Sequence, residues 1–498
     1  MKDRGVLRLG RIKGDGYGVQ PRLRQHRSRV AQIHVLGRKA AALAAGSLCH
    51  KDPLASAVLG ISKAQKAALA GALFLVVGLT WVAPVATTLV LHHVLWAFFA
   101  VSIAFRAFLL VLSSPPTTRT ALPEDQDLPL YTLLIPLYHE AEVLDDLCKA
   151  IEALNYPSSK LDIKLLLEAD DKNTIHAVRD HPLGSSWEIL IVPPIGPQTK
   201  PKALNAGFAR ARGELVTIYD AEDRPHPDQL RHAVRAFAED MAGNLGCVQA
   251  PLGYYNADQN WLTRQFALEY AAHFQVLVPA MACLGLPFPL GGTSNHFRAS
   301  ALRAVGAWDP YNVTEDADLG YRLGANGWRL GTITPPTREE ATAQLGPWQR
   351  QRSRWLKGYI QTIGVHMRRP AMHNALPGAL SMMITLGTAV FAALGHALFS
   401  MLMLGVLFLA PWTGTLLAPI DYGLALAGPL VGMAMLAMGA KRASLTYSLL
   451  DLLGATLYWP LHSWAMARAI LDLVRRPFYW EKTRHGLCPK TPDVDFGA

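Results

Sequence analysis

Three carboxylates stand within four residues of the sequence, at Asp220, Glu222 and Asp223. They follow an apolar run, 214–219, whose composition predicts a buried strand. Carboxylate oxygens are preferred ligands of Mg²⁺ and Mn²⁺, and a diphosphate can supply the other oxygens around such an ion. Because residues 220 and 222 of an extended segment point to one side, Asp220 and Glu222 are the candidate metal ligands. A solvated acidic turn ahead of a helix explains the same residues equally well.

Polar residues also follow two other predicted strands. The strand at 131–137 is followed by Tyr138 and Glu140, and the strand at 163–167 is followed by Glu168. An aromatic ring can stack on a nucleobase, and carboxylates can accept from its N–H groups. The alternative is helix capping, because acids in a first turn favour the helix dipole. If these strands share one parallel sheet, their ends line one crevice together with the carboxylates above.

Small and cationic residues provide candidate contacts for anions. Lys200 comes just before a predicted helix, where its ammonium could meet a phosphate, although an exposed loop explains it too. Gly292 and Thr293 belong to a Gly-Gly-Thr-Ser-Asn run, whose backbone N–H groups suit hydroxyl-rich or anionic ligands. Such a glycine pair more often marks only a turn.

Two further candidates lie on predicted helices nearer the C-terminus. Asp316 follows Thr-Glu and precedes a helix at 317–324, so alone it could be an ordinary N-terminal acid. The helix predicted from residue 345 carries Gln351, Arg354 and Trp355. A cluster of positive charge flanking a membrane segment is the alternative for the basic residues of this helix.

The elements that must position these residues form an α/β domain at 115–370. Apolar β-rich runs alternate there with amphipathic stretches of helical length. That alternation predicts βαβ units and a parallel sheet, in which ligands bind beyond the carboxyl ends of the strands.

Apolar segments flank this domain on both sides. Hydrophobic residues make up 51% of the chain and charged residues 17%, which favours membrane segments and excludes a disordered chain. We expect two spans near 67–84 and 90–112, and three C-terminal hydrophobic segments at 378–409, 418–439 and 445–471. Basic flanks predict that both termini and the α/β domain face the cytoplasm. Three C-terminal crossings would violate that arrangement, so one segment is expected to be interfacial or re-entrant.

Charge and cysteine content narrow the function classes. The net charge of +10 is concentrated in residues 1–50, which hold eleven Lys/Arg and two Asp, so it predicts a basic tail and no nucleic-acid-binding surface. The five cysteines are widely spaced without a CxxC pair, which fits a reducing compartment. The first long apolar run begins near residue 67, too late for a secretory signal.

Taken in order, these motifs resemble those of the membrane branch of the family 2 glycosyltransferases, the group of cellulose and hyaluronan synthases. Residues 220–223 resemble its DxD element, 314–316 its TED motif and 351–355 its QxxRW motif. Each motif is weak alone, but their order and spacing across 128–365, between apolar segments, make the resemblance specific. The second DxD acid is a glutamate here, although Asp223 could substitute for it.

The resemblance implies a GT-A (Rossmann-like) α/β catalytic domain inserted between transmembrane α-helices. It also implies a nucleotide-sugar donor, which we expect to be a UDP-sugar, and Mg²⁺ or Mn²⁺ as the cofactor. It implies the following roles by position: Asp316 as the general base; Tyr138, Glu140, Glu168, Lys200 and Asp220 at the donor; Gln351, Arg354 and Trp355 at the diphosphate and the acceptor; and Asp220 and Glu222 at the metal. Glu168 stands where the family usually has a uracil-binding aspartate, and no PilZ-like regulatory segment follows.

The function expected from this resemblance is inverting transfer of a sugar to a hydroxyl of a growing polysaccharide. The alternatives are a single transfer to a lipid acceptor and a catalytically silent membrane scaffold. The expected location is the inner (cytoplasmic) membrane, in contact with its lipids and with a possible export partner. The expected organisation is a flexible basic tail at 1–66, two transmembrane helices at 67–114, the catalytic domain at 115–370, transmembrane or interfacial helices at 371–475 and a cytoplasmic tail at 476–498.

Overall fold

Two sheets organise the catalytic part of this computed structural model, which describes residues 31–115, 120–368, 375–413 and 419–480. The strands in the described residues are β1 Gln32–Val35, β2 Tyr131–Leu137, β3 Leu161–Glu168, β4 Trp187–Val192, β5 Leu215–Ile218, β6 Arg224–Pro225, β7 Leu245–Gln249, β8 Leu252–Tyr254, β9 Asn295–Arg298, β10 Arg329–Thr332 and β11 Thr337–Glu339. The main sheet has the order β1-β4-β3-β2-β5-β9-β7-β10, and the small sheet has the order β6-β11-β8. The main sheet is parallel except for β9, which runs antiparallel to β5 and β7.

Helices cover the main sheet and form the membrane-facing part. They are α1 Arg38–Lys51, α2 Lys63–Val82, α3 Pro84–Leu112, α4 Leu144–Glu152, α5 Lys172–Asp180, α6 Lys200–Phe208, α7 Gln229–Ala238, α8 Trp261–Ala272, α9 Val278–Cys283, α10 Ala299–Ala304, α11 Glu315–Ala325, α12 Leu345–His366, α13 Ala375–Met382, α14 Thr388–Thr413, α15 Pro419–Arg442, α16 Leu449–Tyr458 and α17 Leu461–Arg475. A π-helical turn joins α8 to α9, and another joins α13 to α14.

The predicted strands and the helices between them are confirmed from β2 to β5. Both faces of the main sheet are covered, so a central strand such as β3 is buried at every position instead of at alternate positions. Leu134 and Leu166 pack into the core on one face, and Leu133 and Leu165 pack into the core on the other. The predicted parallel sheet is present but includes one antiparallel strand, because β9 inserts in the opposite direction between β5 and β7.

The N-terminal part of the described chain is folded onto the catalytic domain. Strand β1 extends the main sheet beside β4, and α1 packs against α6. The Ser56 hydroxyl donates to Asp309 at 3.0 Å, and the backbone N–H of Ala57 donates to its other oxygen at 2.6 Å. The expectation of a flexible tail over 1–66 is therefore wrong from residue 32 onwards, because these contacts fix it. Residues 1–30 lie outside the described part.

Five helices are long and apolar enough to cross a membrane within the described residues. They are Lys63–Val82, Pro84–Leu112, Trp261–Cys283, Leu376–Met401 and Pro419–Arg442. The first two match the expected N-terminal pair and are joined directly at Pro84, so residues 85–89, which were expected between the two spans, belong to α3. Because the chain before α2 and the chain after α3 belong to one folded domain, these two helices can cross only as a hairpin.

The third apolar helix was not expected inside the catalytic domain. Trp261–Cys283 is two-thirds buried within the protein, where α8 packs against α15 and α16. Strands β8 and β9 lie on either side of this helix in the sequence and both belong to the catalytic domain, so it cannot be a membrane crossing. Its apolar composition instead reflects burial between the catalytic domain and the membrane-facing helices.

The last expected hydrophobic segment, 445–471, is divided between α16 and α17. These helices have 10 and 15 residues, each shorter than the roughly 20 residues that a crossing needs. Helix α17 packs along α12 of the catalytic domain. After it, the Tyr479 carbonyl accepts from Lys357 Nζ at 2.9 Å, so residues 476–480 also lie against the domain. Two candidate C-terminal crossings therefore remain, α13–α14 and α15, an even number that is compatible with the expected topology.

Candidate active site

The carboxyl ends of β2, β3 and β5 open into a cavity of about 1180 Å³. Its lining includes all twelve side chains and glycines that the sequence singled out: Tyr138, Glu140, Glu168, Lys200, Asp220, Glu222, Gly292, Thr293, Asp316, Gln351, Arg354 and Trp355. Segments that are far apart in the sequence thus meet at one place, while the role of each residue remains a prediction.

Lys200 is the first residue of α6, and its ammonium group lies against the cavity wall. Its Nζ donates to the Gly292 carbonyl at 2.8 Å and forms an ion pair with Asp220. Burial opposes the charged form, but the carboxylates of Asp220 and Glu315 outweigh burial and raise the pKa of Lys200. The lysine therefore stays charged at neutral pH and can bind a phosphate oxygen.

The three carboxylates of the loop after β5 point in two directions, toward the protein interior and toward the cavity. Asp223 points inward, where its Oδ2 accepts from the backbone N–H of Asp220 at 2.7 Å and from the Thr293 hydroxyl. Asp220 and Glu222 line the cavity and Asp223 does not. Asp223 therefore braces the loop, and the expectation that it could replace Glu222 at a metal is wrong. The Thr293 hydroxyl is likewise used within the protein.

The surroundings of Asp220 and Glu222 carry excess negative charge. Burial, together with these two acids, raises the pKa of Asp223 well above its ordinary value, and burial with Asp223 nearby does the same for Glu339 of β11. Asp223 Oδ1 and Glu339 Oε1 are buried without a hydrogen-bond partner among the described residues. Within those residues no group of three His, Cys, Asp or Glu could hold a metal unaided. One or two carboxylates suffice when a diphosphate supplies other ligands, so Asp220 and Glu222 fit a cation that arrives with its diphosphate.

Polar groups at the ends of β2 and β3 line the opposite side of the cavity. Glu140 Oε2 accepts from the backbone N–H of Tyr138 at 3.1 Å, which fixes the turn after β2. Glu168 Oε2 accepts from the buried Lys202 at 2.9 Å, whereas Oε1 is buried and has no partner among the described residues. Burial raises the pKa of Glu168 and Lys202 opposes that rise. A nucleobase N–H group directed at Oε1 would satisfy this orphan acceptor.

Two adjacent acids begin α11, and their surroundings differ. Burial and the charge of Asp316 raise the pKa of Glu315 to about 8. Burial also raises the pKa of Asp316, but the Ala317 N–H, 2.7 Å from Oδ1, and the cations Arg354 and Lys200 counteract the rise. At neutral pH Glu315 carries the proton, whereas the Ala317 N–H and the two cations favour the charged form of Asp316. That is the state a general base requires.

The space beside Asp316 depends on a glycine. A Cβ built on Gly292 would lie 3.3 Å from Asp316 Oδ2 and 3.8 Å from Lys200 Nζ. Any side chain at this position would occupy the gap between the carboxylate and the ammonium. Gly292 therefore keeps open the place where a reacting group could sit.

Asp318, the nearest other acid of α11, has a structural environment. It is fully buried, does not line the cavity, and binds Arg322 at 2.8 Å and His366 at 3.0 Å. Burial acts against its charge, but Arg322 and His366 outweigh burial and lower the pKa of Asp318. Its carboxylate therefore anchors α11 to α12.

Helix α12 presents the three predicted acceptor residues to the cavity. Gln351 Oε1 is buried with no hydrogen-bond partner in the described chain, so it can accept from a ligand hydroxyl. The Arg354 guanidinium lies 5.1 Å from the centre of the Trp480 ring. The Trp355 ring is stacked with Tyr270, with their centroids 6.1 Å apart.

An ion pair below these residues joins α12 to α8. Arg352 donates to both oxygens of Glu269, at 2.7 and 2.5 Å, and the Tyr458 hydroxyl donates to the same carboxylate at 2.9 Å. The guanidinium also lies 4.5 Å from the centre of the Trp355 ring. Arg352 is thus a positioning residue for its neighbours on α12.

The cavity continues from the catalytic groups into the membrane-facing helices. Helix α14 packs mainly against α17 and α12, whereas α15 packs against α3 and α8, and the cavity lies between these two groups. Apolar side chains dominate this membrane arm, including Phe99, Ile103, Phe399 and Leu404. Phe399 and Leu404 are 42% and 54% exposed, so the arm lies next to the outer surface of α14.

Several polar or aromatic lining residues were not selected from the sequence, among them Glu339, Trp480 and Arg106. Glu339 and Trp480 lie outside the recognised motifs, and Arg106 lies within the apolar helix α3. Hydropathy could have identified Arg106, because an ionisable residue within a transmembrane segment is by default a functional candidate. Glu339 and Trp480 have no comparable local signal.

Comparison with known proteins agrees with this arrangement. The model of "Glycosyl transferase family group 2" matches residues 215–464, and that of "Glycosyl transferase family 2" matches residues 132–293. A beta-monoglucosyldiacylglycerol synthase of Nostoc is 27% identical over 241 residues, 47% of this chain and 50% of the relative. A probable glucomannan 4-beta-mannosyltransferase of Arabidopsis thaliana is 28% identical over 246 residues, 46% of this chain and 43% of the relative. The chain thus spans about half the length of these relatives.

A solved mannosyltransferase from Pyrobaculum calidifontis, in complex with GDP-mannose and Mn²⁺, aligns with a TM-score of 0.49 and 19% identity, over 76% of this chain and 99% of that one. This likeness is too distant to bear on the donor or the metal. The family model covers half of the residues, and the sheet with the apolar helices around it agrees with that match. The chain belongs to glycosyl transferase family group 2, with a GT-A-like catalytic domain.

Proposed function

We propose that this protein transfers a sugar, with inversion, from a nucleotide-sugar to a hydroxyl group of a membrane lipid. The observation that carries the proposal is the single cavity that joins the catalytic groups to the membrane arm. A donor nucleotide would occupy the end lined by Tyr138 and Glu168. The acceptor would approach Asp316 from the side of the membrane helices.

The reaction needs one displacement at the anomeric carbon. The acceptor oxygen forms the new bond to that carbon, the bond from carbon to the phosphate oxygen breaks, and the nucleoside diphosphate leaves. Asp316 takes the proton of the acceptor hydroxyl, since the Ala317 N–H, Arg354 and Lys200 favour its charged form. Lys200 and Arg354 place positive charge where the leaving diphosphate gains negative charge.

Asp220 and Glu222 would hold a divalent cation, Mg²⁺ or Mn²⁺, together with the diphosphate. When bound, such an ion supplies charge neutralisation of the leaving group. The raised pKa values of Asp223 and Glu339 support the assignment, because the repulsion among the neighbouring acids that contributes to them would be relieved by a cation.

A lipid acceptor accounts for the lining of the membrane arm better than a sugar chain does. Acyl chains bury favourably against apolar side chains such as Phe99 and Phe399, whereas sugar hydroxyls need polar partners. A growing polysaccharide is the second candidate, supported by the QxxRW resemblance and by Trp355, whose ring could stack on a sugar. The proposed location of the catalytic domain is the cytoplasmic side of the inner membrane, where nucleotide-sugars would reach it.

The deciding experiment uses the purified full chain in detergent with membrane lipids and a panel of radiolabelled nucleotide-sugars. We expect label in the lipid phase, one sugar for each acceptor, and a β-linkage from an α-linked donor. Label in a water-insoluble or high-molecular-weight product would favour the polysaccharide. If none of the donors gives release of nucleoside diphosphate, only the catalytically silent membrane scaffold would remain as a hypothesis.

A further inference from the structure

Arg106 lies on α3, within a helix that is apolar over its whole length. Its side chain lines the cavity, as do those of Lys200, Arg352 and Arg354. The other three basic residues bind protein groups: Lys200 binds Asp220, Arg352 binds Glu269, and Arg354 donates to a backbone carbonyl. For Arg106 neither a hydrogen bond nor an ion pair is found within the described residues.

The neighbouring groups cannot neutralise Arg106. The nearest acid that influences it electrostatically is Glu269, whose two oxygens are already occupied by Arg352 and Tyr458. Two histidines, His273 and His396, line the same arm and add no negative charge. This part of the cavity therefore contains two guanidinium groups and one carboxylate.

An unneutralised guanidinium beside a membrane is energetically expensive, so it calls for a partner from outside the chain. Arginine near a helix end can extend to the bilayer surface, and Arg106 lies six residues before the end of α3. Its position argues against that explanation, because it lines the cavity together with residues of α8 and α14. Ser102, one turn earlier on α3, makes a 3.0 Å hydrogen bond to Thr388 of α14, so this face of α3 is turned toward α14.

We infer that Arg106 binds the anionic head group of the acceptor lipid, through a phosphate carried next to the hydroxyl that receives the sugar. The planar guanidinium suits bidentate binding of a phosphate. The acyl chains would lie along Phe99, Ile103 and Phe399 in the same arm. This inference rests on the proposed transfer to lipid and adds the class of acceptor.

The test separates the source membranes' lipids by anion-exchange chromatography and offers each fraction to the full-length enzyme with its nucleotide-sugar. We expect acceptor activity in the anionic fraction. Arg106→Gln should lower kcat/KM for that fraction about 10–100-fold, mostly through KM, because a charge-assisted hydrogen bond is lost. Arg106→Lys should recover part of the loss, and the KM for the nucleotide-sugar should not change.

Lys441→Gln is the matched control, since it removes an exposed positive charge near the end of α15, outside the cavity. It should leave both constants unchanged. Acceptor activity confined to the neutral fraction would overturn the inference while leaving transfer to lipid intact, and so would an equal effect of both glutamine variants. The chromatographic result decides the question even where Arg106→Gln fails to fold. If no lipid fraction accepts sugar although nucleoside diphosphate is released, the proposed transfer to lipid itself fails.

Discussion

Replacing Asp316 with Asn tests the proposed chemistry most directly. Asn has nearly the same shape and can still accept from the Ala317 N–H, which lies 2.7 Å from Oδ1, but it cannot take a proton. General-base catalysis contributes about 10²–10⁴-fold, or ~2.7–5.4 kcal/mol of barrier, so kcat should fall by at least that factor. Donor affinity should be nearly unchanged, because Asp220 still holds Lys200 in place.

Single-turnover transfer to acceptor and calorimetric binding of the donor nucleotide measure the two quantities separately. The melting temperature should stay the same or rise, because the replaced carboxylate is destabilised by burial. Retention of more than about a tenth of kcat, or a parallel loss of donor binding, would refute the assignment.

Two neighbouring acids provide controls for that experiment. Glu315→Gln should be close to wild type at pH 7, because the pKa of about 8 makes Glu315 neutral there. Asp318→Asn should lower the melting temperature, since Arg322 and His366 would lose their buried partner. A well-folded Asp318→Asn variant without activity, beside an active Asp316→Asn variant, would move the base by two residues.

Four further outcomes can be measured. Because its pKa is raised, Glu315 keeps a proton in the folded protein that the unfolded chain releases near pH 4.5. The free energy of unfolding therefore falls as the pH rises toward 8. The melting temperature of Glu315→Gln, measured relative to that of wild type, should increase between pH 5 and pH 9. Arg352→Met removes the guanidinium from Glu269, which is part-exposed to the cavity and keeps the Tyr458 hydroxyl, and should cost about 1–3 kcal/mol in a denaturant melt. Asp220→Asn should lower kcat/KM for the donor about 10²–10³-fold and remove the inhibition by EDTA, whereas wild-type activity insensitive to EDTA would exclude the metal role. Cys283, which is exposed on the catalytic domain, should react with a membrane-impermeant maleimide in inverted vesicles only. Labelling in right-side-out vesicles would contradict the predicted topology.

Local patterns were sufficient to predict the centre of the domain. Strands β2 to β5 are mostly apolar, and the residues at the carboxyl ends of β2, β3 and β5 meet at one edge because the strands are parallel. The pairing of β9 could not be predicted in this way. It has only four residues, and its direction is set by contacts with strands far away in the sequence.

Two errors have the same physical origin. Residues 32–51 were assigned to a charged tail because the assignment used the amino-acid composition of the whole N-terminal segment, which does not show which residues are buried. Their attachment depends on one short strand and on the small buried face formed by Ala41, Ala44 and Leu48 of α1. Conversely, Trp261–Cys283 was treated as an ordinary soluble segment, although it is apolar on most of its surface. Burial between two parts of the protein cannot be told from sequence periodicity alone.

The arrangement of α11 and α12 connects the chemistry to the membrane. Helix α11 carries Asp316 and packs on α12, and α12 packs on α17, which in turn holds α14. The close approach requires Gly358 of α12, because a Cβ there would overlap the side chain of Thr314. Any larger residue would push the start of α11 away from the cavity, and Asp316 would move with it. The proposed base is thus fixed to the same helices that line the membrane arm, so an acceptor held between those helices would meet the carboxylate at a defined distance.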